Sequence, residues 1–200
     1  MKTQIVLFEG FDELDAIAPY EVLRNAAAAG ADLHVELATQ REATEVTAAH
    51  GLRVRPHARL AAGGLDLLIV PGGGWNNRAP AGARAEAERG ELPAAIARLH
   101  HGGATAAAVC TGAMLLAAAG LTAGRPAITH HAALDDLRAT GAVITPARVV
   151  DDGDVITAGG VTSGLDLALW VVERWFGAPA AADVERRMEY ERRGVVWRKV

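Results

Sequence analysis

Ala104-Thr105-Ala106-Ala107-Ala108-Val109-Cys110-Thr111-Gly112-Ala113-Met114-Leu115-Leu116-Ala117-Ala118-Ala119 is the stretch on which the reading of this chain turns, because its only cysteine stands where one apolar run ends and another begins. Thr105 to Val109, small or branched throughout, reads as a buried strand of a parallel sheet. Ala113 to Ala119 reads as a buried helix that Gly120 terminates. Ala108 and Gly112 flank Cys110 at the small-x-nucleophile-x-small spacing of a nucleophile elbow. Such a strand-to-helix turn is strained, and only Gly or Ala fits on either side of it. A thiol held there meets the helix N-terminus, whose dipole and free N–H groups favour the thiolate.

Two plainer readings compete. A free cysteine is among the most buried residue types and is often inert core, but the elbow spacing argues for a placed thiol. Gly102 to Gly124 also carries no charge, which raises a membrane span. Its centre is Cys110-Thr111-Gly112 and alanine and glycine make up much of its length, whereas a span needs about 20 predominantly strong hydrophobes.

Composition narrows the function classes. A chain of 200 residues suits one domain, 1–200, with a full hydrophobic core. One cysteine excludes an internal disulfide framework and a zinc site of paired thiolates, while His100, His101, His130 and His131 leave a histidine site open. With Lys+Arg 20 against Asp+Glu 24 and a net charge of −4, there is no basic field of the kind nucleic-acid binders use. A small-molecule partner is expected, with no nucleic acid and no membrane. The apolar run Ile5 to Phe8 is too short for a signal peptide and is closed by Glu9, so a cytoplasmic location is expected.

Outward from the elbow, strands and helices alternate. Strands are expected at Ile5–Phe8, Leu33–Thr39, Leu52–Arg55, Leu65–Val70, Pro126–Thr129 and Val155–Ala158. Helices are expected from about Pro19 to Ala29, and over Leu92–His101, Ala132–Ala139, Val161–Phe176 and Ala180–Tyr190. This pattern predicts a three-layer α/β/α sandwich, flavodoxin-like, around a mostly parallel sheet. No repeat and no second domain is evident.

In such folds ligands collect beyond the carboxyl ends of the strands. Asp15, Gly72 to Gly74, Cys110 and His130 all stand at such ends. Gly72-Gly73-Gly74 lacks a Walker lysine or serine. It is either a flexible turn or, with the N–H of Thr111, an oxyanion-hole-type cradle. Asp15, with apolar neighbours on both sides, is either a helix cap or a proton donor of raised pKa. His130 is either a base or a structural hydrogen-bonding residue, and Glu13 and Tyr20 are weaker candidates.

Val70-Pro71-Gly72-Gly73-Gly74, Ala108 to Ala113, Ile128-Thr129-His130 and Thr157 to Asp166 stand in an order that resembles the ThiJ/PfpI superfamily over nearly the whole chain. Members known as proteases or glyoxalases often carry histidine after the cysteine and glutamate in the first helical segment. Thr111 and Asp15 in those places are most similar to the isonitrile hydratase branch. The resemblance implies Cys110 as nucleophile, Asp15 as acid/base group and Thr111 as a catalytic neighbour. It further implies Gly73 as a backbone donor, with Gly74, His130 and Thr162 about the substrate. Ala18 replaces a glycine common before Pro19, which implies a narrower pocket.

The implied reaction is hydration of an isonitrile to an N-substituted formamide through a covalent thioimidate, a lyase reaction without cofactor or metal, in a homodimer. Trp170, Trp175 and Trp197 are candidate interface residues. The alternatives are a glyoxalase or deglycase of the same superfamily, and a non-catalytic ligand- or oxidation-sensing protein. The arginines after Phe176 are too few and too mixed with acids for a DNA-binding domain and read as a solvated helix face.

Overall fold

Residues 1–199 are described by a computed structural model; Val200, the last residue of the expected single domain, lies outside the described residues. The first half of the chain forms β1 (Lys2–Leu7), α1 (Glu13–Ala28), β2 (His34–Thr39), β3 (Val46–Thr47), β4 (Arg53–Val54), β5 (Ala58–Arg59), β6 (Leu67–Val70), α2 (Ala83–Arg89) and α3 (Glu91–His101). The elbow lies between β7 (Thr105–Val109) and α4 (Gly112–Ala118). Beyond it come β8 (Pro126–Ala127), α5 (Leu134–Ala139), β9 (Val143–Ile144), β10 (Val149–Asp151), β11 (Val155–Ala158), α6 (Ser163–Phe176), α7 (Ala178–Met188) and β12 (Trp197–Arg198).

Eight strands form one sheet in the order β12-β10-β11-β7-β6-β1-β2-β5. The β10–β11 pair is antiparallel and every other pair in it is parallel. Helices α1, α6 and α7 pack together on one face, while α2 to α5 pack on the other. The core strands β6 and β7 are buried at every position, which is why they read as continuous apolar runs rather than as alternating ones. Among the described residues no helix is long and apolar enough to cross a membrane.

Several expectations are corrected. Helix α1 begins at Glu13, well before Pro19, because Asp12 caps it, its side chain accepting from Leu14 N–H at 3.3 Å. Pro19 sits in the second turn, where its missing N–H leaves only the Asp15 carbonyl without its helical partner. β8 is not part of the main sheet but pairs with β9. It stops early because Ile128 N–H turns to Thr157 Oγ1 at 2.9 Å. Helix α2 escapes a periodicity reading because only Ala83 and Glu86 of it are buried, too short an apolar stripe to register. Trp170 is core rather than interface, its indole N–H donating to Asp151 at 2.8 Å.

The end of β6 and the start of α4 touch backbone to backbone. A Cβ on Gly112 would strike the Val70 carbonyl oxygen, and one on Gly72 would lie 2.5 Å from Thr111 N. Gly112→Ala is therefore expected to cost about 1–3 kcal/mol of stability, since the elbow must spread to admit a methyl group. Thermal unfolding checks this, and a melting temperature equal to that of the parent would refute so close an approach.

Candidate active site

The order β2-β1-β6-β7-β11 within the sheet is the flavodoxin-like order, and the strand order reverses between the parallel neighbours β1 and β6. The first turn of α1, the triglycine and the elbow therefore meet at the carboxyl ends of β1, β6 and β7. Asp15 lies one turn into α1 and is fully buried. Its Oδ2 accepts from Gly72 N–H at 2.9 Å, and its Oδ1 has no nitrogen or oxygen partner. Burial first, then the charge of nearby Asp12, pushes its pKa up to about 8, against the pull of Gly72 N–H and the Cys110 thiol beside it. The cap role considered for Asp15 belongs to Asp12, whose own N–H donates to Gly72 O at 2.8 Å.

Cys110 has φ 58°, in the left-handed region. A side chain held there stores on the order of 1–3 kcal/mol and persists only where its surroundings over-determine it. Here Cys110 N–H donates to Gly159 O at 2.9 Å and Ala158 O at 3.2 Å, and Thr129 Oγ1 donates to the Cys110 carbonyl at 2.8 Å. The residue is 6% exposed. Burial and then the Asp15 carboxyl push the thiol up to about 12, although the Val161 and Thr111 N–H groups favour the charged sulfur. Burial and the neighbouring carboxyl thus work against the thiolate preference expected at the start of α4, a helix of only 7 residues. The two groups hold their protons as a coupled pair.

Thr111 is buried next to the sulfur, and its Oγ1 accepts from Gly73 N–H at 3.0 Å. The N–H groups of Gly72 and Gly73 are therefore spent on Asp15 and Thr111, not aimed at an open cradle. They fix the carboxyl and the hydroxyl instead. Gly74 continues the same wall, its α-carbon against the Ala81–Gly82 backbone. His130 caps the turn after β8, Nδ1 accepting from Ala132 N–H at 3.2 Å, with its ring against Gly160 and 4.2 Å from that of His131. Burial, then His131, lowers its pKa, so it is neutral at pH 7 with the proton on Nε2. Thr162 is exposed, its Oγ1 accepting from Arg148 Nη2 at 3.2 Å.

Other candidates are drawn elsewhere. Glu13 accepts from His50 Nδ1 and His50 N–H, both at 2.7 Å, and so ties α1 to the loop after β3. Tyr20 stacks on His57 at 5.6 Å. His100 pairs with Asp154 at 3.3 Å, at the end of the sheet opposite His130, so the histidines do not converge. Three contributors escaped the sequence reading: Asp12, Thr129 and Val161. Val161, read as the first residue of a helix, instead has φ 37° and turns its N–H to the sulfur. No pattern of side chains announces a β-branched residue in that conformation.

A mostly parallel α/β sheet bearing a strained cysteine on a strand-to-helix turn, with a buried carboxyl facing its sulfur, defines the class: an α/β protein with an elbow thiol. Residues 1–174 match the DJ-1/PfpI family, and the chain belongs to it. Isonitrile hydratase of Pseudomonas putida is 35% identical over 190 residues, 92% of this chain and 76% of that protein. A deglycase of Pyrococcus horikoshii is 27% identical over 177 residues, 86% of this chain and 96% of that protein. The crystal structure of a ThiJ/PfpI family protein from Pseudomonas syringae superposes with a TM-score of 0.84 at 28% identity, covering 96% of this chain and 76% of the other.

Proposed function

We propose that this chain is an isonitrile hydratase, a lyase that converts isonitriles to N-substituted formamides, with Cys110 as nucleophile, Asp15 as proton carrier and Thr111 as the neighbour that completes the wall. The observation that carries the reading is the unpartnered Oδ1 of the fully buried Asp15 beside the thiol, a setting that pushes the carboxyl up to about 8. At neutral pH that oxygen holds a proton. The terminal carbon of an isonitrile must gain both a sulfur and a hydrogen, and the pair supplies both. As sulfur bonds to carbon, Asp15 delivers its proton to that carbon and takes the proton of the thiol, giving R–N=CH–S–Cys110. Water then adds to the C=N bond and the C–S bond breaks, with the proton returned to sulfur. The product is R–NH–CHO, and no electron is gained or lost, so water is the only co-reactant required.

A rod-like functional group suits a sulfur so little exposed, with Gly74, His130 and Thr162 left to meet the rest of the molecule. A hollow of about 180 Å³ bounded by Leu7, Phe8, Thr39, Arg41, Val46 and Leu92 lies beyond β1 and β2 and does not reach Cys110. The proposal also takes residues 1–200 as a single domain that forms a homodimer in the cytoplasm, where a lone cysteine suits a reducing compartment. The net charge of −4 fits a small-molecule substrate better than nucleic acid.

Incubation with an aryl isocyanide is expected to yield the formamide, followed by ultraviolet absorbance, from a species whose light scattering gives twice the chain mass. The relative from Pyrococcus horikoshii named a deglycase keeps the glyoxalase or deglycase alternative open, for which methylglyoxal is the comparison substrate. Lactate from methylglyoxal, with no formamide from the isocyanide, would replace hydration by glyoxalase chemistry.

A further inference from the structure

The segment Thr157 to Asp166 ends in a buried carboxylate that the proposed reaction does not use. Asp166, on α6, is 3% exposed. Its Oδ2 accepts from Arg148 Nε at 2.7 Å, with Arg148 Nη2 ion-paired to the same oxygen at 2.6 Å, and its Oδ1 accepts from Arg193 N–H at 2.9 Å and Tyr190 Oη at 3.2 Å. Both oxygens of the carboxylate are thereby engaged, and the ion pair holds the guanidinium beside it.

Arg148 in turn grips both ends of one short turn. Its carbonyl accepts from Gly159 N–H at 2.9 Å, and its Nη2 donates to Thr162 Oγ1 at 3.2 Å. Between these anchors stand Gly160 and Val161. Val161 holds φ 37° and directs its N–H to Cys110, while the carbonyl of Gly159 takes the Cys110 N–H. A branched residue stays in the left-handed region only under constraint, and this turn has few others. Ser163 N–H closes on Gly160 O at 3.0 Å and Gly164 N–H on Val161 O at 3.1 Å, bonds that any start of α6 would make.

We infer that Arg148 and Asp166 are positioning residues: the pair, acting through Thr162 Oγ1 and Gly159 N–H, holds the Val161 N–H against the sulfur of Cys110 and so sets the reactivity of that thiol. Neither residue touches the sulfur. The inference concerns the free thiol and stands whether or not isonitriles are the substrate.

Cys110 is the only cysteine, so alkylation of the full-length protein by iodoacetamide reads this one sulfur directly. Rates are measured across the pH range in which thiols titrate, for Thr162→Val, Thr162→Ser and Asp166→Asn, with thermal unfolding of each. Thr162→Val removes only an exposed hydroxyl, so it remains informative if Asp166→Asn does not fold. Thr162→Val is expected to be alkylated roughly tenfold more slowly at mildly alkaline pH, its rate profile displaced upward, as follows from weakening one N–H bond to a charged acceptor. Thr162→Ser is expected to keep the parent profile, and Asp166→Asn to move as Thr162→Val does. A parent-like or faster profile in Thr162→Val overturns the inference, even if its melting temperature drops, because a purely structural clamp would move stability alone. Equal displacement in Thr162→Ser overturns it too.

Discussion

Cys110→Ala is expected to abolish hydration of an aryl isocyanide, a loss of about 10⁴-fold or more, because the step that bonds carbon to the protein has no other nucleophile to fall back on. Cys110→Ser should fail to nearly the same degree. Its hydroxyl is a far poorer nucleophile than a thiol and gains no activation from a neutral carboxyl. Serine keeps the size of the side chain and the backbone bonds to Ala158, Gly159 and Thr129, so the variant should fold as the parent does. Formamide formation by absorbance, and the mass of the protein quenched during turnover, are the measurements. A Cys110→Ala protein as active as the parent would remove the covalent mechanism altogether.

Asp15→Asn should separate activity from stability. The amide retains the acceptor for Gly72 N–H but carries no acidic proton, and kcat is expected to fall by about 10²–10⁴-fold, the usual range for a lost general acid. Stability should move the other way. The folded carboxyl titrates at about 8 against an ordinary value of 3.8, so between those values the folded state binds a proton that the unfolded state releases. Folding stability associated with Asp15 is thus complete below about pH 4 and lost as pH rises through about 8. Asparagine does not titrate. The variant should therefore gain on the parent between those pH values, by on the order of a few kcal/mol at pH 8. Urea unfolding at the two ends of that window tests the trend, and a difference independent of pH would refute a buried protonated Asp15. In the parent, kcat should fall as pH rises through about 8, where the carboxyl loses the proton it delivers.

The sharpest contrast between sequence and structure lies at the elbow itself. Its position was legible because sterics leave a mark on composition: a residue at φ 58° flanked by Ala108 and Gly112 needs small neighbours, and small neighbours show in a sequence. The charge state of the sulfur left no such mark. It depends on how much water reaches Cys110 and on the distance to a carboxyl from the far side of the sheet's switch point, and neither follows from the residues adjacent to the cysteine. The triglycine shows the same division. Its placement after a buried strand was readable, but its N–H groups serve Asp15 and Thr111, partners contributed by α1 and the elbow.

Alternating apolar runs and turn residues determined by themselves the layered α/β architecture, and the spacing around Cys110 determined where a reactive group sits within it. Both are local consequences of backbone sterics and burial period, which act over a few residues. Tertiary structure alone decided that Asp12 rather than Asp15 caps α1, that Asp15 turns inward to the thiol, and that Val161 brings its N–H to the same sulfur. Those outcomes rest on desolvation and on hydrogen bonds between distant parts of the chain, and only packing sets the distances on which both depend.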